Sequence, residues 1–106
     1  MNTQTIAHTL AELGNETRLE IFRLLVKTGR DGMTIGEIGK RLGVPASTLG
    51  FHLKGLISVN LVAQEKQGRS VICRAQLDTV TSVINELVAE CCIEERINVN
   101  TKEDVA

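Results

Sequence analysis

The chain has no tryptophan, no tyrosine and only two phenylalanines in 106 residues. A small domain of this kind buries a modest core, so association with a second subunit is an expected source of stability. Uninterrupted apolar runs of membrane-spanning length are also lacking, and no membrane partner is expected. The N-terminus lacks a basic start followed by an apolar block, so no signal peptide is expected. Three cysteines without an export signal point to free thiols in a reducing compartment, the cytoplasm. No nucleophile–base pair, phosphate-cradling loop or helical metal-ligand motif is present, and so small a domain leaves little room for a substrate pocket. The chain is therefore expected not to be an enzyme. By length it is one domain, read as residues 1–96 with a flexible polar tail at 97–106.

The formal net charge is only −1, which by itself argues against a nucleic-acid partner. Its distribution argues the other way. Residues 37–74 carry Lys40, Arg41, Lys54, Lys66, Arg69 and Arg74 against Glu37 and Glu65, a balance of +4. Residues 75–106 carry Arg96 and Lys102 against seven acids, a balance of −5. A local basic patch binds phosphate even when the whole chain is slightly acidic.

That basic segment contains two short helical patterns with a tight break between them. Thr34 and Glu37 have the spacing of a capping box. Ile35, Ile38 and Leu42 then give one apolar face. Gly43 suits the left-handed conformation that ends a helix, and Pro45 is suited to the first turn of the next. In the second helix Leu49, Leu53 and Leu56 point inward, while Ser47, Thr48, Phe51, His52 and Lys54 make an outer face without an acid. This is the sequence form of a helix-turn-helix, although an ordinary helical hairpin has the same outline.

The flanking chain favours the first reading. Residues 3–13 suggest a helix with Ile6, Leu10 and Leu13 on one side. Asn15 is placed to cap a second helix, in which Leu19, Phe22, Leu25 and Val26 face one way with Ile21 and Leu24 beside them. Residues 28–32 form a loop signal. After the helix pair, residues 61–66 and 70–75 read as two strands joined through Gly68, a hairpin whose tip carries Lys66 and Arg69. Asp78 is expected to cap a last helix with an apolar stripe of Val80, Val83, Ile84, Leu87, Val88 and Cys91. Part of that stripe is expected to pack on a second subunit, together with the first helix. The fold class is mainly α with a small β-hairpin, a winged helix-turn-helix.

The sequence resembles the ArsR family of bacterial metal- and metalloid-responsive repressors over roughly residues 6–92. The resemblance is carried by residues 13–21 (LGNETRLEI), 43–49 (GVPASTL), 51–54 (FHLK), Gly68-Arg69-Ser70 and Cys91-Cys92. Gly50 and Gly55 depart from the family pattern, which commonly has Ser and a charged residue there. The resemblance implies a homodimer whose recognition helices enter successive major grooves of double-stranded operator DNA. It makes Ser47, Thr48 and His52 base and phosphate contacts and Phe51 an apolar contact to a thymine methyl. Lys54, Lys66 and Arg69 become mainly phosphate contacts.

The family's sensor sites differ between members. A Cys-x-Cys box on the first helix of the pair is absent here, as are His ligands on the terminal helix. Cys91-Cys92 remains, and it resembles the arsenite-responsive branch. Trivalent arsenic and antimony are soft and prefer thiolates, which fits. Adjacent helical residues point about 100° apart, so some adjustment at the helix end is needed for both sulfurs to meet one ion. No cysteine follows Cys92, and Cys73 is read as a buried strand residue, so the third position falls to a small thiol or water. A methylated arsenical needs only two thiols. Glu90, Glu94 and Glu95 are expected to raise the thiol pKa values. Three alternatives stay open: a redox or sulfur-species sensor through the same thiols, a repressor without an inducer, and a protein-interaction module.

Overall fold

The computed structural model describes residues 1–95, so the expectation of a flexible tail at 97–106 lies outside the described residues. Among the described residues, five helices and a three-stranded sheet follow one another. The first is α1 (Thr3–Leu13), then α2 (Glu16–Thr28) and a short 3₁₀ turn (Gly29–Asp31). Strand β1 (Met33–Thr34) leads into the helix pair α3 (Ile35–Leu42) and α4 (Ala46–Ser58). Strands β2 (Val62–Gln67) and β3 (Ser70–Ala75) form the wing, and α5 (Leu77–Ala89) closes the fold.

Each boundary has a local cause. Asn2 and Asn15 accept from Thr5 N and Arg18 N, capping α1 and α2. Thr34 and Glu37 form the complete capping box of α3. Gly43 ends α3 in the left-handed region at φ 67°, ψ 33°, which costs glycine little. Pro45 stands one position earlier than expected: it is the N-cap of α4, with extended backbone, and Ala46 opens the helix. Asp78 does not cap α5 either. Gln76 holds that position without a side-chain bond, and Asp78 lies inside the first turn.

The core is one cluster. Ile21, Phe22, Leu24 and Leu25 of α2 meet Ile38 of α3, Leu49, Leu53 and Leu56 of α4, and Leu61, Val62 and Cys73 of the wing base. Burial on this scale stabilises each large aliphatic side chain by about 1.5–3 kcal/mol. Leu19 and Val26, expected on the inward face of α2, are exposed, as is Leu10 of α1. The apolar arc of α2 therefore centres on Ile21, Leu24 and Leu25.

The sheet has the order β1–β3–β2, antiparallel throughout. Its hairpin closes with Gln67 opposite Ser70, so the loop is the two residues Gly68 and Arg69. Gly68 takes φ 64°, as a tight hairpin requires at that position. The two-residue strand β1 was not legible in the sequence. It pairs Met33 with Cys73 and Thr34 with Ile72, which ties the start of α3 to the centre of the sheet.

Candidate DNA-reading face and thiol pair

The outer face of α4 is set by its inner one. With Leu49, Leu53 and Leu56 buried, helical period turns Ser47, Thr48 and Phe51 outward, with His52 half-buried beside them. Phe51 is 68% exposed, an unusual position for a ring in a chain with only two phenylalanines. Its ring meets that of His52 edge-on, centroids 5.5 Å apart at 65°. No side chain caps the N-terminus of α4 and no acid stands in its first turn. The first-turn N–H groups beside Ser47 and Thr48 are thus open to an anionic oxygen. Lys54 is exposed one turn further along and, with Glu12, Arg18, Phe51, Gly55 and Ser58, lines a hollow of about 360 Å³. Lys66 and Arg69 are exposed at the wing tip. The residues expected to touch DNA therefore fall on two surfaces, the outer face of α4 and the end of the hairpin.

Arg74, part of the basic segment, is used within the wing. Its Nη1 donates to Glu65 Oε1 at 2.6 Å and its Nε to the Arg30 carbonyl at 2.6 Å. The Arg74 guanidinium holds the Glu65 carboxyl below the usual range, first by that hydrogen bond.

Arg18 was not singled out by the sequence as a functional residue. It stands in the first turn of α2 and reaches both neighbouring helices. Nε donates to the Glu12 carbonyl at 2.7 Å and lies 3.4 Å from Glu12 Oε1, and Nη1 is 3.4 Å from His52 Nδ1. Gly55 makes room for this: a Cβ there would collide with the Glu12 carboxylate. Apart from the ion pair, that buried Glu12 oxygen has no hydrogen-bond donor among the described residues.

The cysteine pair lies beyond α5 rather than on its stripe. The helix ends at Ala89, and Cys91 and Cys92 sit in the turns that follow, Cys92 at φ 63°. Leaving the helix removes the 100° divergence of neighbouring side chains. The two sulfurs are 2.8 Å apart, hydrogen-bonded and exposed. The Cys92 thiol is pushed up to about 11, first by its hydrogen bond with Cys91, then by the Cys91 charge, with Glu95 next. Glu90 and Glu94, expected to act in the same way, are not among the causes. Cys73 is buried in β3 between Met33 and Gln64, as expected; burial pushes its thiol up, and Gln64 Nε2, 3.7 Å away, opposes that. Among the described residues, no group of three or more His, Cys, Asp or Glu side chains is placed to hold a metal ion. No helix among them is long and apolar enough to cross a membrane.

A helix-turn-helix domain family matches residues 13–65. The uncharacterized HTH-type transcriptional regulator YceK of Bacillus subtilis (strain 168) is 30% identical over 76 residues, 72% of this chain and 75% of that protein. An ArsR-like transcriptional regulator from Rhodococcus sp. RHA1 superposes with a TM-score of 0.78 at 27% identity, covering 95% of this chain and 92% of its own. The chain belongs to the ArsR-type winged helix-turn-helix transcriptional regulators. The fold also matches a homodimeric winged helix-turn-helix DNA-binding domain from Mycobacterium bovis at a TM-score of 0.67 and 24% identity, covering 88% and 85% of the two chains. These relatives are regulators, not enzymes. In this ArsR-type regulator α3 and α4 are the helix-turn-helix, and β2 and β3 are the wing.

Proposed function

We propose that this ArsR-type regulator is a homodimeric repressor, released from its operator when trivalent arsenic or antimony binds Cys91 and Cys92. The observation that carries the reading is the convergence of the two exposed sulfurs just past α5. Arsenous acid would exchange two As–O bonds for two As–S bonds, each thiol proton leaving with a hydroxyl as water. The third position keeps its hydroxyl or takes a small thiol; a monomethylated arsenical fills it with carbon.

The dimer reading rests on α5 and α1. Ile84 (52%), Leu87 (53%) and Val88 (63%) are exposed along one side of α5, and Leu10 of α1 is exposed as well. Apolar surface of this kind marks an interface, and the Mycobacterium bovis relative is a homodimer. A ligand beside the end of α5 would change how the two copies pack and so the spacing of the recognition helices. A coupling of roughly 1–3 kcal/mol lowers operator affinity several- to hundredfold.

The test is operator binding by fluorescence anisotropy under reducing conditions, with and without arsenite. Arsenite is expected to release the wild-type protein and to leave the Cys91→Ser, Cys92→Ser double variant bound. Release of the double variant would put the inducer elsewhere.

A second reading uses the same sulfur proximity. Two thiols 2.8 Å apart can also be oxidised to a disulfide with loss of two electrons and two protons. Release by an oxidant or a polysulfide, with arsenite inert, would favour it.

A further inference from the structure

Arg18 joins the helix that precedes it to the helix that reads DNA, and the chemistry of the join is one-directional. A guanidinium has donors only. With Nη1 3.4 Å from His52 Nδ1, that nitrogen must supply the lone pair. A neutral imidazole in this arrangement carries its single proton on Nε2. Nε2 has no hydrogen-bond partner among the described residues, and the Phe51 ring stands edge-on to the imidazole.

Arg18 is itself held. Asn15 fixes its backbone by accepting from Arg18 N at 3.0 Å, and the Glu12 carbonyl and carboxylate hold Nε. The carboxylate can approach only because residue 55 has no side chain. Arg18 is thus fixed from the α1 and α2 side and aimed at α4.

We propose that Arg18 is a positioning residue for sequence recognition, holding His52 in its Nε2–H form so that α4 offers a hydrogen-bond donor there. A donor suits an acceptor on the major-groove edge, such as a purine N7, guanine O6 or thymine O4. It does not suit the amino groups of adenine or cytosine. The inference rests on α4 as the recognition helix with His52 at the bases, so its test has one arm without DNA.

In that arm, long-range ¹H–¹⁵N correlation spectra of the histidine-labelled free protein report the tautomer, with His52→Asn separating His52 from His8. Wild type is expected to show the Nε2–H form alone, Arg18→Met a mixture, and Arg18→Lys, which keeps a donor, a return towards wild type. A wild-type ring protonated on Nδ1, or a tautomer unchanged in Arg18→Met, overturns the inference. In the second arm, each protein selects duplexes from a randomised pool. Arg18→Met and His52→Asn are expected to relax discrimination roughly tenfold at the same single position of each half-site. Weakening spread evenly over all positions overturns the base-reading role. Failure of the wild type to select any sequence overturns the reading of α4 instead, while the tautomer result on the free protein stands.

Discussion

Glycine inside a helix is a local weakness, and α4 contains two with opposite surroundings. Nothing lies within 4 Å of where a Gly50 Cβ would stand, whereas at Gly55 the Glu12 carboxylate occupies that place. Gly50→Ala is therefore expected to stabilise the protein by about 1 kcal/mol in urea unfolding at fixed concentration. Gly55→Ala should gain less or lose, because the Glu12 carboxylate must shift from where it meets Arg18. The cysteines divide in the same way. Under native conditions a thiol reagent should modify Cys91 and Cys92 and spare buried Cys73 until unfolding. A raised pKa means less thiolate at neutral pH. The alkylation rate of Cys92, followed by mass spectrometry, should keep rising with pH towards about 11 rather than levelling near the ordinary 9.0. Since Cys91 is the leading cause, Cys91→Ser should move that rise to lower pH.

Of the elements, the wing offers the plainest test of DNA binding. Lys66→Ala or Arg69→Ala should weaken binding uniformly across sequences and reduce the salt slope by about one for each phosphate left without its cation. The hairpin was legible because a turn glycine, Gly68, and the strand-like runs on either side of it speak together. The buried leucines of α4 and the capping box of Thr34 and Glu37 were legible for the same reason: two local signals agreed. Strand β1 was not, since two residues are too few to show alternation and their pairing depends on Cys73 and Ile72, far along the chain. Asp78 misled because its residue type suits a cap, while α5 starts at Leu77 and leaves Asp78 in the first turn, where an acid also suits the helix dipole. Arg18 lies in the stretch 13–21 that carries the resemblance, but nothing local marked it as a functional side chain. Its value comes from Glu12 and His52, and the place that the Glu12 carboxylate takes beside it depends on a missing side chain at residue 55.

For the whole molecule, periodicity does not distinguish a face turned to the protein's own core from one turned to a second copy. That is why Val83 is buried while Ile84, Leu87 and Val88 of the same stripe are exposed. Leu87→Glu should leave the monomer fold intact by circular dichroism and abolish the dimer in light scattering, with operator affinity falling accordingly. Monomeric wild-type protein would remove the basis for paired half-sites.

The Glu65–Arg74 bridge has a kinetic consequence. It cancels charge at mid-wing, whereas Lys66 and Arg69 at the tip are unpaired among the described residues. The positive end of the protein is thereby pushed outward, to the point that first meets a polyanion. Such an arrangement orients a protein during diffusion, before any base is read. Neutralising the tip should slow association more than it hastens departure, a difference that stopped-flow measurement at low salt would resolve and high salt would erase.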